Sequence, residues 1–125
     1  MTRIPSLFFA TGAILALIGM AWGIQMSATQ DHTLSPAHGH LNLIGFVAMS
    51  VFGTFCALCP RAAAARLALV HYALSLASVV VLVPGIVLAI TGTTEALAKA
   101  GSVLAILSMA VFAYTALRNG VGAGE

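Results

Sequence analysis

The chain has 125 residues, of which 61% are hydrophobic and only 6% are charged. This composition excludes an ordinary soluble domain, in which about a quarter of the residues carry a charge. The formal net charge of +2 is too small and too scattered to indicate a nucleic-acid-binding surface. Two cysteines are too few for a disulfide framework. At about 20 residues per span, the length allows about four membrane crossings joined by short loops.

Four apolar stretches predict an all-α fold, an integral membrane four-helix bundle that forms a single domain over residues 1–125. The predicted helices cover about residues 5–26, 37–59, 64–90 and 96–117. Pro36 suits the first turn of the second helix, because its missing N–H is not needed there. Pro60 ends that helix, and we expect a kink in the third helix at Pro84. Frequent small residues favour close helix packing and a homo-oligomer.

The basic residues predict the orientation in the membrane. In a four-span chain one side receives most of them, namely Arg3, Arg61, Arg66 and Arg118. The opposite side carries Asp31, Glu95 and Lys99. Because cytoplasmic loops are enriched in Lys and Arg, both termini are predicted to be cytoplasmic, in a bacterial-type inner membrane. Arg3 followed by an apolar run also fits a signal peptide, but this run is long for one.

The candidate functional site lies at the start of the second helix, at His38-Gly39-His40. Strongly polar groups at membrane depth are costly, so such histidines are functional candidates by default. Residues two apart on a helix point about 200° from each other, so His38 and His40 can face different neighbours at nearly the same depth. Neutral imidazole is a common ligand of metals and of haem iron. The competing interpretation is that both histidines are interfacial and hydrogen-bond to headgroups or loops.

Two further residues extend this site along the helix. Asn42 lies one turn beyond His38 and is placed to orient a ligand or to meet a polar cofactor edge. Gly45, further along that face, is expected to leave room for a flat macrocycle.

The segment from Pro36 to Phe46 reads Pro-x-His-Gly-His-Leu-Asn-Leu-x-Gly-Phe. It resembles the histidine-bearing helices of the haem–copper oxidase superfamily, which includes oxygen and nitric oxide reductases. Helices of that family carry either a low-spin haem ligand or a His-x-His pair whose imidazoles bind two different haems. The resemblance therefore implies that His38 and His40 ligate the iron of a b-type haem. The chain lacks the family's His-His pair for copper and a tyrosine placed for the copper–tyrosine crosslink, so full oxygen reductase activity is not expected.

The same resemblance implies an assembly. The catalytic subunit of that family has about twelve helices, arranged as three arcs of four, and this chain resembles one arc. Three copies in a closed ring would rebuild the whole, so the resemblance implies a homotrimer, with a homodimer as the alternative. In such a ring, His38 of one protomer would face His40 of the next across the interface.

These observations predict a membrane haem-binding protein that acts in electron transfer, or in haem or redox sensing, with an unknown redox partner. One alternative is zinc or copper handling at the outer face, with His32, His38 and His40 as ligands. Another is a non-catalytic small subunit of a larger membrane complex.

Two other groups are expected to serve packing. At ~1.5 Å rise per residue, His71 differs from His38 in depth by roughly 15–20 Å, too far for both to bind one iron. We therefore expect His71 to be packed and hydrogen-bonded, with a separate inner metal site as the alternative. Cys56 and Cys59 lack the strand-to-helix setting of thioredoxin-like motifs and are interpreted as small packing residues.

Overall fold

A computed structural model describes residues 3–122 of the chain. Its helices are α1 (Ile4–Thr29), α2 (Ser35–Leu58), α3 (Pro60–Ala64), α4 (Arg66–Ile90) and α5 (Ala96–Asn119). Within residues 3–122, four of them, all except α3, are long and apolar enough to cross a membrane. The regular structure of this part of the chain is entirely helical. The predicted all-α fold is therefore confirmed for the described residues, and the four candidate spans are consistent with a multi-pass membrane protein.

The helix ends differ from the predicted ones by a few residues, for local reasons. α1 continues to Thr29 and ends where Gln30 adopts a left-handed φ of 57°. α2 begins at Ser35, because Pro36 occupies its first turn. The predicted connection over residues 60–66 contains the short helix α3, which Pro60 opens in the same way. Ala65, with an extended ψ of 149°, separates α3 from α4.

The long helices pack as two close pairs, α1 against α2 and α4 against α5, and α4 also touches α1 and α2. The closest approach joins α4 and α5 at two glycines. A Cβ added at Gly101 would lie 2.5 Å from the Cα of Leu82, and one at Gly85 would lie 2.5 Å from the N of Ala98. Small residues at membrane helix contacts allow such close approach, as predicted from their frequency in the sequence.

Apolar side chains fill the interior and also cover the outside. The central cluster contains Phe8, Met49, Phe52, Val79 and Val83. On α1 and α5, large apolar side chains are mostly exposed, among them Leu17, Met20, Ile24 and Ile106. An outer surface of this kind suits contact with lipid tails.

One part of α2 departs from α-helical geometry. Leu41–Val47 forms a π-helix that begins directly after His40. Such segments occur mostly as single turns inside α-helices and frequently at functional sites. α4, by contrast, runs through Pro84 as one helix from Arg66 to Ile90.

Candidate functional site

His38 is held against α1 by its own chain. Its Nε2 lies 2.9 Å from the carbonyl oxygen of Gly19. Because a carbonyl can only accept, Nε2 carries the proton and donates it to Gly19. The ring meets Trp22 edge-on at a centroid distance of 5.8 Å, and a Cβ at Gly23 would lie 3.2 Å from Nε2. The half-buried imidazole of His38 thus packs against α1 at Gly19 and Gly23, where no side chain stands in its way.

Asn42 lies beside His38 and packs against the same part of α1, at Gly19. Its Nδ2 is 3.4 Å from the His38 Nε2. Since the Nε2 proton already points to the Gly19 carbonyl, an amide N–H pairs poorly with that nitrogen, and the contact is weak. The Oδ1 of Asn42 occupies the space where a Cβ at Gly19 would stand. Asn42 therefore packs with His38 between the two helices.

His40 has the opposite setting, exposed on the far side of α2. Its Nδ1 lies 2.7 Å from the carbonyl oxygen of Pro36. The carbonyl acceptor places the proton on Nδ1, so Nε2 carries the lone pair. Histidines that bind metals commonly donate their second ring N–H in this way, which fixes both tautomer and ring orientation. The predicted divergence of the two imidazoles is confirmed: His38 faces α1 and His40 faces outward.

An exposed apolar strip follows His40 along α2. Leu43, Val47 and Val51, the α2 outer strip, have exposed fractions of 57%, 46% and 48%. The side chains on this strip are uncharged, so a flat apolar group next to His40 would meet no desolvated charge.

Gly45 does not provide the space predicted for a macrocycle. It is buried against α1, and a Cβ added to it would lie 3.2 Å from Cδ1 of Leu15 and 3.3 Å from its Cβ. Gly45 permits helix contact instead, because the Leu15 side chain fills the volume above it.

His32 lies outside α2, the helix that carries His38 and His40. It is exposed in the loop between α1 and α2, next to Asp31, whose Oδ1 accepts hydrogen bonds from the Thr33 N–H at 3.0 Å and the Thr33 hydroxyl at 2.6 Å. These bonds lower the pKa of Asp31. Over residues 3–122, no three His, Cys, Asp or Glu side chains lie close enough to hold a metal ion. The three-histidine site of the zinc or copper alternative is therefore not assembled.

His71 is packed at the other end of the bundle. Only 4% of it is exposed, and its ring centroid lies 5.4 Å from that of Phe8, 4.4 Å from Phe52 and 6.2 Å from Phe112. Phe8 precedes Gly19, the partner of His38, by eleven residues on α1, which corresponds to about 16 Å along the axis. The predicted separation of His38 from His71 is confirmed.

The hydrogen bonding of His71 is partly as expected, because its imidazole forms a hydrogen bond with the main chain of Ser108 on α5. Its Nε2 is buried without a partner, because the surrounding side chains are phenyl rings. The nearby hydroxyls have other partners. The Ser75 hydroxyl lies 2.8 Å from the His71 carbonyl oxygen, to which it donates, and 2.7 Å from the Ser108 hydroxyl. This polar pair between α4 and α5 could not be predicted from the sequence, since both serines lie in apolar runs.

Cys56 and Cys59 are both buried near the end of α2. Cys56 belongs to the central apolar cluster, together with Phe52. Their burial agrees with the interpretation as packing residues.

Comparison with protein-family models, with curated proteins and with solved structures finds no match to this chain. The resemblance to the haem–copper oxidase superfamily thus stays a prediction that rests on the segment from Pro36 to Phe46.

Proposed function

We propose that this chain is a membrane haem-binding protein in which His40 supplies an axial imidazole. The observation that carries the proposal is the hydrogen bond from Nδ1 of His40 to the Pro36 carbonyl. It leaves a lone pair on the Nε2 of an exposed imidazole, which is the form that binds iron. The α2 outer strip next to His40 would meet the apolar faces of a b-type macrocycle.

His38 fits the role of ligand less well. Its Nε2 is committed to the carbonyl of Gly19, and Trp22 covers its ring. To bind iron through Nε2 it would have to give up that bond and leave a carbonyl in the membrane without its imidazole donor. We therefore assign His38 and Asn42 to holding α2 against α1, which positions the first turn that carries His40.

The bond from His38 to Gly19 also bears on the proposed assembly. A two-fold axis brings identical surfaces together, so one His40 from each of two copies supplies two neutral imidazoles. We propose this homodimer in place of the His38–His40 pairing of the homotrimer, because the dimer leaves the His38–Gly19 bond intact. A bis-histidine haem supplies one-electron transfer when bound. The two copies of His40 would supply the ligands, and the α2 outer strip would supply an apolar surface that excludes water.

The test is a visible spectrum of purified protein after addition of haem. His40→Ala should lose the split bands of low-spin haem, whereas His32→Ala, which removes an exposed loop imidazole, should keep them. His38→Ala should also keep them. Loss in His38→Ala with retention in His40→Ala would overturn the assignment.

Mixing protomers separates the two assemblies. In the homotrimer, His38→Ala and His40→Ala chains together restore part of the low-spin spectrum that each lacks alone. In the homodimer, His38→Ala keeps the spectrum alone, and a mixed dimer with a single intact His40 lacks a second axial imidazole. A colourless protein that carries zinc or copper would instead favour the metal-handling alternative, and one that carries neither would favour a non-catalytic subunit.

We further propose that both termini are cytoplasmic, in a bacterial-type inner membrane. The arginines support this orientation, and Arg61 contacts Asn119 at 3.2 Å, so the α2–α4 connection and the end of α5 share one side. Cysteines introduced at Ser27 and Asn119 test it. An impermeant thiol reagent should label the first in intact cells and the second only after permeabilisation; labelling of Asn119→Cys in intact cells would reverse the orientation.

A further inference from the structure

A cleft opens where α3 and the start of α4 meet the end of α5. Its volume is about 530 Å³. Its apolar lining includes Ala65 and Leu67. Its polar lining comes from Arg61 on α3 and from four residues of α5, namely Tyr114, Thr115, Arg118 and Asn119. It lies at the opposite end of the bundle from His38 and His40, so the proposed haem site does not account for it.

Both arginines of the cleft are held by neutral partners. Arg61 donates from Nε to the Oδ1 of Asn119 at 3.2 Å. Arg118 donates from a terminal nitrogen to the Tyr114 hydroxyl at 2.7 Å, and its guanidinium carbon lies 5.9 Å from the centre of that ring. Each guanidinium has five N–H donors, so these bonds orient the side chains and leave most donors available.

No carboxylate from residues 3–122 lines the cleft. In the part of the chain that the structure describes, the one ion pair joins Lys99 to Glu95, at the α4–α5 turn. Two positive charges thus face one cavity without an acidic partner from residues 3–122. An anion that enters the cleft would meet both positive charges and be attracted to each of them.

The lining indicates what kind of anion fits. Planar guanidinium groups match the oxygens of phosphate and bind them with two parallel hydrogen bonds. The alanine and leucine side chains beside them offer a surface for hydrocarbon, and the cleft stands at the end of membrane-spanning helices. Basic pockets between membrane helices on the cytoplasmic side bind anionic lipid headgroups.

We propose that this cleft binds the phosphate of an anionic phospholipid, with Arg61 and Arg118 as its ligands and the apolar lining against the upper part of its acyl chains. A phosphate bound by both arginines would connect α3 with α5. It is independent of haem and of His40.

The experiment measures lipid binding to the full chain in a neutral detergent, with phosphatidylglycerol and phosphatidylcholine as probes. Phosphatidylglycerol should bind the native protein, and phosphatidylcholine should bind at least about ten-fold more weakly, because its choline cation opposes the arginines. Arg61→Gln and Arg118→Gln should each weaken phosphatidylglycerol binding by about ten-fold, the loss expected for one charged hydrogen-bonding group. Arg118→Lys should weaken it less, because the charge remains.

Arg66→Gln is the matched control. Arg66 is an exposed arginine at the start of α4, on the same side of the bundle but outside the cleft lining. Its removal should change binding less than two-fold if the cleft is the site. Equal losses from Arg66→Gln and Arg61→Gln would show a diffuse charge effect and overturn the proposal, as would equal binding of the two lipids.

Competition with inorganic phosphate distinguishes a site for a phospholipid headgroup from a site for free phosphate. If the cleft takes lipid, millimolar phosphate should displace little phosphatidylglycerol, because it lacks the acyl chains. Displacement at equal concentrations would identify a free phosphate site and refute the lipid assignment. Helical content by circular dichroism confirms that each variant is folded. A glutamine variant that does not fold is replaced by the lysine variant at the same position. Arg61→Lys and Arg118→Lys should still bind phosphatidylglycerol more weakly than Arg66→Lys does.

Discussion

Replacing Gly101 with alanine tests how closely α4 and α5 pack. The added Cβ would lie 2.5, 2.6 and 2.7 Å from the Cα, N and Cβ of Leu82. Carbon atoms pack best at about 3.5–4.0 Å, so the two helices must separate locally by about 1 Å. The obstruction is largely main chain, which cannot rotate away as a side chain does.

The magnitude follows from two opposing effects. Overpacking costs about 1–3 kcal/mol, and a main-chain obstruction belongs at the upper end. Alanine gains about 1 kcal/mol over glycine in a helix interior. We therefore expect Gly101→Ala to lower the free energy of unfolding by about 2 kcal/mol. Gly39→Ala is the matched control, because nothing lies within 4 Å of its added Cβ; it should raise that free energy by up to about 1 kcal/mol.

Reversible unfolding by SDS in mixed micelles, followed by circular dichroism, measures both variants. The two should differ by about 3 kcal/mol, with native protein between them. If Gly101→Ala is as stable as the native chain, α4 and α5 do not cross at this short distance. If Gly39→Ala is equally damaging, the loss in Gly101→Ala does not report the contact with Leu82.

Two further predictions concern His71 and Asp31. His71→Phe should stay close to the native stability, because removing the unpaired Nε2, which costs about 1–3 kcal/mol, offsets the loss of the hydrogen bond to the Ser108 main chain, worth about 1 kcal/mol. His71→Ala should lose about 2–4 kcal/mol of packing. The same unfolding assay compares the two variants, and a Phe variant as destabilised as the Ala variant would mean that Nε2 has a partner. Thr33→Val should raise the pKa of Asp31 towards its ordinary value, measured by NMR titration of the carboxyl carbon. Because the Thr33 bonds depress the folded-state pKa, they stabilise the loop above the ordinary pKa and cease to do so as the pH falls through the folded one. An unchanged pKa would show that the Thr33 hydroxyl does not bond to Asp31.

The spans were predictable because long apolar runs bounded by prolines and polar loops need no knowledge of tertiary contacts. The π-helix at Leu41–Val47 was not, since no residue in it breaks a helix. It lies where Gly45 meets Leu15 of α1. The register of such a segment depends on contacts between helices that are far apart in sequence.

The glycines illustrate the same limit. Sequence alone shows small residues on every long helix, but it does not tell which of them meets a neighbour. Gly101 touches the main chain of Leu82, whereas Gly39 faces open space. Both lie in helices, and only the packing of α4 against α5 distinguishes them.

The two imidazoles of the His38-Gly39-His40 segment differ in whether their Nε2 is free to bind a ligand. Their divergence around the helix followed from spacing alone. Their hydrogen bonds did not, because the acceptors are main-chain carbonyls, and every residue carries one. His38 meets the Gly19 carbonyl of another helix, and His40 meets the Pro36 carbonyl of its own turn. A ligand that needs the Nε2 of His38 must therefore disturb the α1–α2 contact, whereas one that needs the Nε2 of His40 requires no movement. For this reason we propose His40, and not His38, as the ligand.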